Sequence, residues 1–361
     1  MSRHVISSTI NGKLLLFNTL DGNYYELNKT GARIWELLEQ DRSPAEISQQ
    51  LANEYEVPAQ IIEADVVHLI ALLETETLLA DVSPYYPADD QIAQLRQFFQ
   101  SRPVKPRLSI CIPSMNRLDL LVPCLLSLLS TEQTEIIVAD SGSDAATFDF
   151  YDRAKVPVLK VPGEFNFSKS CNVAASAAES DLLLFLNSDT KALVADWEQR
   201  LLAIPNHGAT GAVLIYPSAI LQHVGVEVLP IDERSVDQPH CYKSRESHLP
   251  VMLRHIGRSR MLDQLDTVSM HRLMAVTGAF LCTPKRVYTD LGGMDESYQA
   301  DLQDIDYCLK VSEKNLPLAV CKDIVFMHVQ SASRGAYAFP EDDWALFTRR
   351  WAERLLTYSK L

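Results

Sequence analysis

The 361 residues contain no Cys-x-x-Cys pair and no glycine-rich phosphate loop, neither GxGxxG nor GxxxxGKS. The seven cysteines (Cys111, Cys124, Cys171, Cys241, Cys282, Cys308 and Cys321) are scattered and odd in number. That argues against a disulfide framework or a structural zinc site and for a reducing, cytoplasmic setting. Without a glycine-rich loop, a phosphate-bearing ligand would need a metal or basic side chains rather than a helix N-terminal cradle. Positive charge is also short. Lys and Arg total 33 against 47 Asp and Glu, for a net charge of -14. A general nucleic-acid or anionic-membrane binder needs a basic face and is disfavoured. No apolar run reaches the roughly 18 residues of a membrane helix. The best, residues 118–129, is shorter and contains Asp119 and Pro123. The start, Met1-Ser2-Arg3-His4, lacks a signal-peptide apolar stretch. No internal repeat or low-complexity tract occurs.

What is present is an ordinary globular balance of 47% hydrophobic and 22% charged residues. It supplies a sizeable core, and the length suggests two domains. Residues 1–80 read as one unit. Leu14-Leu15-Leu16-Phe17, the turn Asp21-Gly22-Asn23 and Tyr24-Tyr25-Glu26-Leu27 predict a hairpin. Asn28 is an N-cap for the helical pattern Ala32, Ile34, Trp35, Leu37, Leu38. Ser43-Pro44-Ala45-Glu46 orders an N-cap, a first-turn proline and a capping-box Glu. A third helix spans about 58–75. The result is a winged-helix-like α+β unit. It carries five basic and twelve acidic residues, hence -7, which makes it a poor DNA reader and suits a peptide-binding module or a stabilising cap.

Pro84, Pro87, Pro103 and Pro106 mark residues 81–106 as a linker, with one short helix over 92–99. From 107 to 361 the pattern alternates strand and helix. Strands are expected near 108–112, 135–139, 156–161 and 181–186, with helices near 118–129 and 168–178. Fully apolar strands suit a parallel sheet buried on both faces, with ligands beyond the strand carboxyl ends. Those ends carry Pro113-Ser114-Met115-Asn116-Arg117, Asp140-Ser141-Gly142-Ser143-Asp144 and Asn187-Ser188-Asp189-Thr190. Asp189 is the natural ligand for a hard cation such as Mg²⁺ or Mn²⁺, although the isolated triplet by itself more simply reads as the cap of a helix beginning near Leu193. Asp304 and Asp306 precede an apolar helix, where they are either dipole partners or a general base. His328 follows a strand near 323–327, and Arg334 lies in the polar loop beyond. The basic stretch 240–260 is either a diphosphate-facing or a solvated loop. Trp344, Phe347, Trp351 and Leu355 have helical spacing and read as core packing.

Residues 107–357 resemble the inverting glycosyltransferase family 2, with its GT-A fold. The resemblance is carried by ordered motifs: the strand-end clusters above, Phe165-Asn166-Phe167-Ser168-Lys169 with Asn172, Leu221-Gln222-His223-Val224-Gly225 and Val276-Thr277-Gly278-Ala279. Gly292-Gly293-Met294-Asp295-Glu296, Asp304-Ile305-Asp306 and His328 with Ser333-Arg334-Gly335 complete it. It implies a nucleotide-sugar donor, most simply a UDP-sugar. Pro113, Asn116, Arg117, Asp140, Ser143, Asn166, Lys169, Asn172, Asn187, Ser188 and Arg334 would line the donor site. Asp140 would contact base and ribose, and Lys169 and Arg334 the diphosphate. Asn187-Ser188-Asp189 resembles a DXD motif with Asn in place of its first Asp. Asp189 and His328 would then hold Mn²⁺ or Mg²⁺. Asp304 aligns with the catalytic base and Asp306 with a supporting residue.

The N-terminal region resembles the PqqD-like peptide-recognition modules through Tyr25-Glu26-Leu27-Asn28-Lys29-Thr30-Gly31-Ala32, Ile34-Trp35-Glu36-Leu37-Leu38 and Ser43-Pro44-Ala45-Glu46-Ile47 with Leu51, Tyr55 and Val57. Such modules bind the leader of a ribosomally made precursor peptide, which adds as a strand to the hairpin edge. Tyr24, Tyr25 and Leu27 are the expected contacts. The two resemblances together imply a cytoplasmic, metal-dependent enzyme that glycosylates Ser, Thr or Cys of a precursor peptide. The alternatives are a cell-surface glycan transferase acting on a lipid-linked saccharide, and a non-catalytic peptide-binding protein.

Overall fold

A computed structural model describes residues 5–10, 13–18, 24–40, 42–75, 78–79, 87–101, 105–205, 208–231, 241–242, 249–299, 301–329 and 341–360. They form two compact units. One comprises the N-terminal region to Tyr85 with Tyr216–Ile220, and the other is built from the chain beyond Tyr86.

The first unit opens with strands β1 (Val5–Ile10), β2 (Lys13–Asn18) and β3 (Tyr24–Leu27), antiparallel in the order β1-β2-β3. The hairpin read from sequence is β2–β3, with Leu16 opposite Tyr25. Its turn at 21–23 lies outside the described residues. β1 was not legible, because Val5-Ile6-Ser7-Ser8-Thr9-Ile10 shows little alternation. Helices α1 (Lys29–Leu38), α2 (Pro44–Tyr55) and α3 (Ala59–Thr75) follow. Asn28 caps α1 by accepting the Gly31 N–H at 2.7 Å. Ser43 and Glu46 form the expected capping box on α2, which ends where Glu56 turns left-handed at φ 54°. Ile34, Leu37, Ile47, Leu51, Ile62, Val66 and Ile70 meet in one core. Leu16, Trp35, Leu73 and Leu78 form a second beneath the sheet.

The second unit begins with α4 (Asp89–Gln100). The segment 81–106 is thus not linker throughout. Ile92, Leu95 and Phe99 of α4 are buried, and Arg96 Nε donates to the Arg153 carbonyl at 2.7 Å. Next come β4 (Leu108–Ser114), α5 (Leu118–Ser127), β5 (Thr134–Asp140), α6 (Ala145–Ala154), β6 (Val158–Lys160), α7 (Phe167–Ala177) and β7 (Leu182–Leu186). They are followed by β8 (Thr190–Ala192), α8 (Trp197–Ala203), β9 (Ala209–Ile215), β10 (Leu221–His223), β11 (Val226–Pro230), β12 (Cys241–Tyr242) and β13 (Val251–His255). After a 3₁₀ turn at Leu262–Thr267 come β14 (Phe280–Pro284), α9 (Lys285–Asp290), α10 (Gln303–Glu313), β15 (Leu318–His328) and α11 (Glu341–Tyr358).

The main sheet runs β6-β5-β4-β7-β14-β9-β15-β8, with β10 on β9. β6, β5, β4 and β7 are parallel, as their apolar composition predicts. The expectation of a wholly parallel sheet is corrected beyond β7. β14 runs antiparallel to β7, and β8 antiparallel to β15. Short antiparallel pairs are stabilised across strands that may lie far apart in sequence, so hydrophobic runs alone do not reveal direction. β11, β13 and β12 make a separate antiparallel sheet. Trp344, Phe347, Trp351 and Leu355 of α11 are all buried in the large core with α7 and α10, which makes the aromatic stripe packing rather than a sugar platform. No helix among the described residues is long and apolar enough to cross a membrane.

Candidate active site

Because β4, β5 and β7 are parallel, their carboxyl ends share one edge, and the loops there interlock. The Ser141 N–H donates to the Ser114 carbonyl at 3.0 Å. The Asn116 N–H donates to Ser143 Oγ at 2.6 Å, and the Asp144 N–H to Asn116 Oδ1 at 2.9 Å. Asn116 and Arg117 both adopt left-handed backbone (φ 55° and 54°), a conformation held only when surrounding bonds over-determine it.

Asp140 is fully buried and builds this loop. Its Oδ1 accepts the N–H groups of Gly142 (3.0 Å) and Ser143 (2.8 Å), and its Oδ2 the hydroxyls of Ser143 (2.5 Å) and Tyr151 (2.8 Å). Four bonds fill a carboxylate's acceptor capacity, and through them Asp140 shapes the loop. Tyr151 lies on α6, and neither that helix nor its register is legible in the sequence.

Three further residues expected at the donor site are bonded within the protein. Asn166 caps α7 by accepting the Lys169 N–H, and its amide donates to the carbonyls of Glu296 and Tyr298. Asn172 donates to the Met294 carbonyl and Glu296 Oε1, and accepts from Tyr288 Oη and the Met294 N–H. Gly293 (φ 74°) lies against it: a Cβ there would fall 2.5 Å from Asn172 Oδ1. Arg117 forks its guanidinium onto Asp119 at 2.7–3.2 Å. Pro113 is buried within β4. Lys169, half-buried, donates to the Pro162 carbonyl past the end of β6. Ser188 is half-buried beside Asp189. Arg334 lies outside the described residues, as do Lys243 and Arg245 of the basic stretch; Arg254 in that stretch pairs with Glu227 at 2.6 Å.

The strongest juxtaposition involves Asp189 and His328. The helix expected near Leu193 is α8, which begins at Trp197 with Asp196 as its N-cap residue, so Asp189 does not cap it. Residues 190–192 are instead edge strand β8, which pairs antiparallel with the end of β15 so that Thr190 faces His328. This sets His328 Nε2 3.2 Å from Asp189 Oδ1, with both side chains buried. Gln222 decides the tautomer. Its amide nitrogen donates to the His328 carbonyl (3.1 Å), leaving Oε1 to accept from His328 Nδ1 (2.6 Å). Nε2 is then unprotonated: it accepts from the Asn187 amide nitrogen at 3.3 Å and lies against the Asp189 carboxylate. Two electron-rich atoms so close call for a proton or a cation between them. Adjacent ligands of an octahedral Mg²⁺ site with bonds of about 2.1 Å lie about 3 Å apart, so the pair fits a hard divalent ion. Outer-sphere fixing of a ligating His, the role of Gln222 here, is usual at metal sites. Among the described residues no cluster of three or more His, Cys, Asp or Glu is found, so phosphate oxygens or water would complete the shell. Gln222 lies in the Leu221–Gly225 motif, where the sequence alone shows no role for it.

Asp304 opens α10 and is joined to this pair through adjacent contacts. Gly278 N–H donates to Asp304 Oδ2 at 2.7 Å, and the Ile305 N–H to Oδ1 at 2.8 Å. Ala279, next to Gly278, accepts the Asn187 N–H at 3.2 Å because β14 pairs with β7. Burial raises the Asp304 pKa above the usual carboxylate value, and the Asp301 charge adds to this. The N–H groups of Gly278 and Ile305 and the Thr277 hydroxyl oppose it. A raised carboxylate pKa suits a general base. Asp306 is different. It has no exposed surface and accepts from Tyr298 Oη (3.2 Å), Arg350 Nη1 (2.6 Å) and Trp351 Nε1 (2.9 Å), while Lys310 pairs at 2.8 Å. These contacts tie α10 to α11. Sequence spacing placed both acids in one helical turn but did not show which faced inward.

In the first unit, Tyr25 and Leu27 lie on one face of edge strand β3. Both pack half-buried against the core of Leu16, Trp35, Leu73 and Leu78. Their side chains support the edge from within. The Tyr24 side chain lies outside the described residues.

The second unit has the GT-A fold of nucleotide-sugar transferases. Over 71% of this chain and 50% of that chain it superposes on GalNAc-T7 with UDP, GalNAc and Mn²⁺, with a TM-score of 0.52 and 13% identity. Residues 109–224 match the model of glycosyl transferase family 2, and residues 13–79 that of coenzyme PQQ synthesis protein D (PqqD). The chain thus joins a PqqD-type domain to a glycosyl transferase family 2 domain. It is 28% identical to O-antigen biosynthesis protein RfbC of Myxococcus xanthus over 251 residues, 67% of this chain but only 19% of that protein. The complex of TbiB1 with the TbiA(beta) leader peptide aligns with 23% of this chain and 96% of that chain, at 31% identity and a TM-score of 0.22.

Proposed function

We propose that this protein is an inverting glycosyltransferase that moves a sugar from a nucleoside diphosphate to a Ser, Thr or Cys side chain of a ribosomal precursor peptide. The peptide's leader is held by the N-terminal domain, and ribosomal synthesis of the acceptor puts the reaction in the cytoplasm. The observation that carries the reading is the continuous chain of contacts Asp304–Gly278–Ala279–Asn187–His328–Asp189. It sets a carboxylate with a raised pKa beside a pair suited to a divalent cation. Asp189 and His328 would hold Mn²⁺ or Mg²⁺, which when bound offsets the charge gathering on the departing diphosphate. Asp304 takes the proton from the acceptor hydroxyl or thiol as that atom bonds to the sugar C1. The bond from C1 to the phosphate oxygen breaks on the opposite face, which inverts the anomeric centre. No enzyme nucleophile is needed. The interlocked Asn116–Ser143 and Asp140 loops form the wall of the donor pocket.

The PqqD match and the edge strand β3 support leader capture. Tethering raises the local concentration of the peptide core without new contacts at the active site. Comparing leader-bearing and leaderless forms of one precursor peptide on the full chain tests this. A KM lower by about 10²-fold or more for the leader-bearing form is expected. Equal kinetics on both would overturn the role of the leader.

The likeness to an O-antigen biosynthesis protein favours a second reading, transfer to a lipid-linked saccharide of the cell surface. Turnover with such a saccharide and none with any peptide would select it.

A further inference from the structure

The three-residue strand β10 supplies Gln222 to the His328 pair, and its next residue, His223, points elsewhere. Consecutive strand residues face opposite sides. The register of β10 against β9 also slips between Leu221, opposite Ile215, and His223, opposite Leu214. Irregularities of this kind re-aim side chains next to active sites. His223 is buried, and its Nδ1 lies 2.7 Å from Nδ1 of His255, which is buried on β13. The Thr277 N–H donates to His223 Nε2 at 3.4 Å. The next N–H, that of Gly278, donates to Asp304, and the Thr277 hydroxyl also bonds Asp304. Gly278 has little freedom to drift, because a Cβ there would lie 3.0 Å from the Phe167 ring and 3.4 Å from Asp304 Cβ.

We propose that His223 is a positioning residue for the reaction: as a neutral imidazole paired with His255, it holds the Thr277–Gly278 turn that aims the Asp304 carboxylate. β10 then aligns both halves of the site, Gln222 through His328 and His223 through Asp304. The tautomers follow. Nε2 of His223 accepts from Thr277, so its proton sits on Nδ1 and is donated to His255 Nδ1, which places the His255 proton on Nε2. Burial holds His223 neutral and the nearby Arg258 charge adds to this, with its pKa lowered to about 3.

The inference rests on Asp304 being the base, and the test separates the two. On the full chain, release of UDP or GDP from a panel of UDP- and GDP-hexoses with Mn²⁺, water being the acceptor, is compared for wild type, Asp304→Asn, His223→Leu and His223→Gln. His223→Leu should lower turnover by roughly tenfold to a hundredfold without weakening UDP–Mn²⁺ binding. It should also move the acid limb of the rate profile to higher pH, since the freed turn no longer stabilises the Asp304 carboxylate against its burial and the Asp301 charge; the Cys171 and Cys308 thiols beside it, pushed up by burial, are neutral. His223→Gln, which keeps an acceptor for Thr277, should restore both. A fold defect would lower the rate without moving the limb. Full activity in Asp304→Asn would remove the base, and the inference with it. An inactive Asp304→Asn beside an unaltered His223→Leu would overturn the inference alone. Imidazole ¹⁵N spectra of the full chain, assigned with His223→Gln, need no substrate. A neutral His223 protonated at Nδ1 down to pH 5 is expected. A proton on Nε2, or titration between pH 6 and 7, would overturn the proposal.

Discussion

His328 Nε2 faces the Asp189 carboxylate across 3.2 Å because edge strand β8 pairs with the last residues of β15. Gln222 keeps the imidazole proton on Nδ1, which leaves Nε2 unprotonated against that carboxylate.

A cation should therefore matter to nucleotide binding. Mn²⁺ with UDP or GDP should raise the melting temperature of the wild type, by the equivalent of about 2.7 kcal/mol at a ligand concentration a hundredfold above Kd. Asp189→Ala and His328→Ala should lose the Mn²⁺-dependent part of the shift. A thermal-shift titration reads this directly. An unchanged Mn²⁺-dependent shift in both variants would move the cation elsewhere.

Asp304→Asn should cut turnover by about 10²–10⁴-fold while leaving UDP–Mn²⁺ binding nearly intact. The raised Asp304 pKa also has a stability consequence. The folded carboxyl binds its proton at higher pH than the unfolded one. Its stabilising contribution is thus full below the unfolded pKa and is lost as pH rises through the folded value. Asp304→Asn should melt no lower than wild type at pH 7, with any advantage gone near pH 4. Melting curves at the two pH values check the sign.

Asp306→Ala should behave oppositely to Asp304→Asn. It strips the buried partner from Arg350, Lys310, Trp351 Nε1 and Tyr298 Oη. Breaking a buried ion pair costs about 3–5 kcal/mol, and the partial exposure of Arg350 and Lys310 reduces that to about 2–4 kcal/mol. Denaturant unfolding should show the loss, whereas wild-type stability would restore Asp306 to the list of catalytic candidates.

Much of this was legible locally. The caps Asn28 and Ser43, the apolar strands β4, β5 and β7, the α11 stripe and the strand-end clusters all follow from residues within a few positions of one another. Capping, periodicity and strand burial are short-range physics. Asp304, Asp189 and His328 stood out because polar side chains at strand ends or at a helix start face the ligand edge.

The sequence by itself determined the two units, the order of elements and the set of polar residues available to the site. The tertiary structure alone decided which of them were used as scaffold. Asp140, Asn166, Asn172 and Asp306 have the chemistry of binding or catalysis, yet their side chains are engaged within the protein: Asp140 by its own loop and Tyr151, the other three by partners distant in the chain. Asn172 bonds Met294 and Glu296, and Asp306 bonds Arg350 and Trp351. A polar group's role depends on which of its hydrogen bonds remain unmade, and that is settled only when antiparallel strands such as β8 and β14 bring remote segments together.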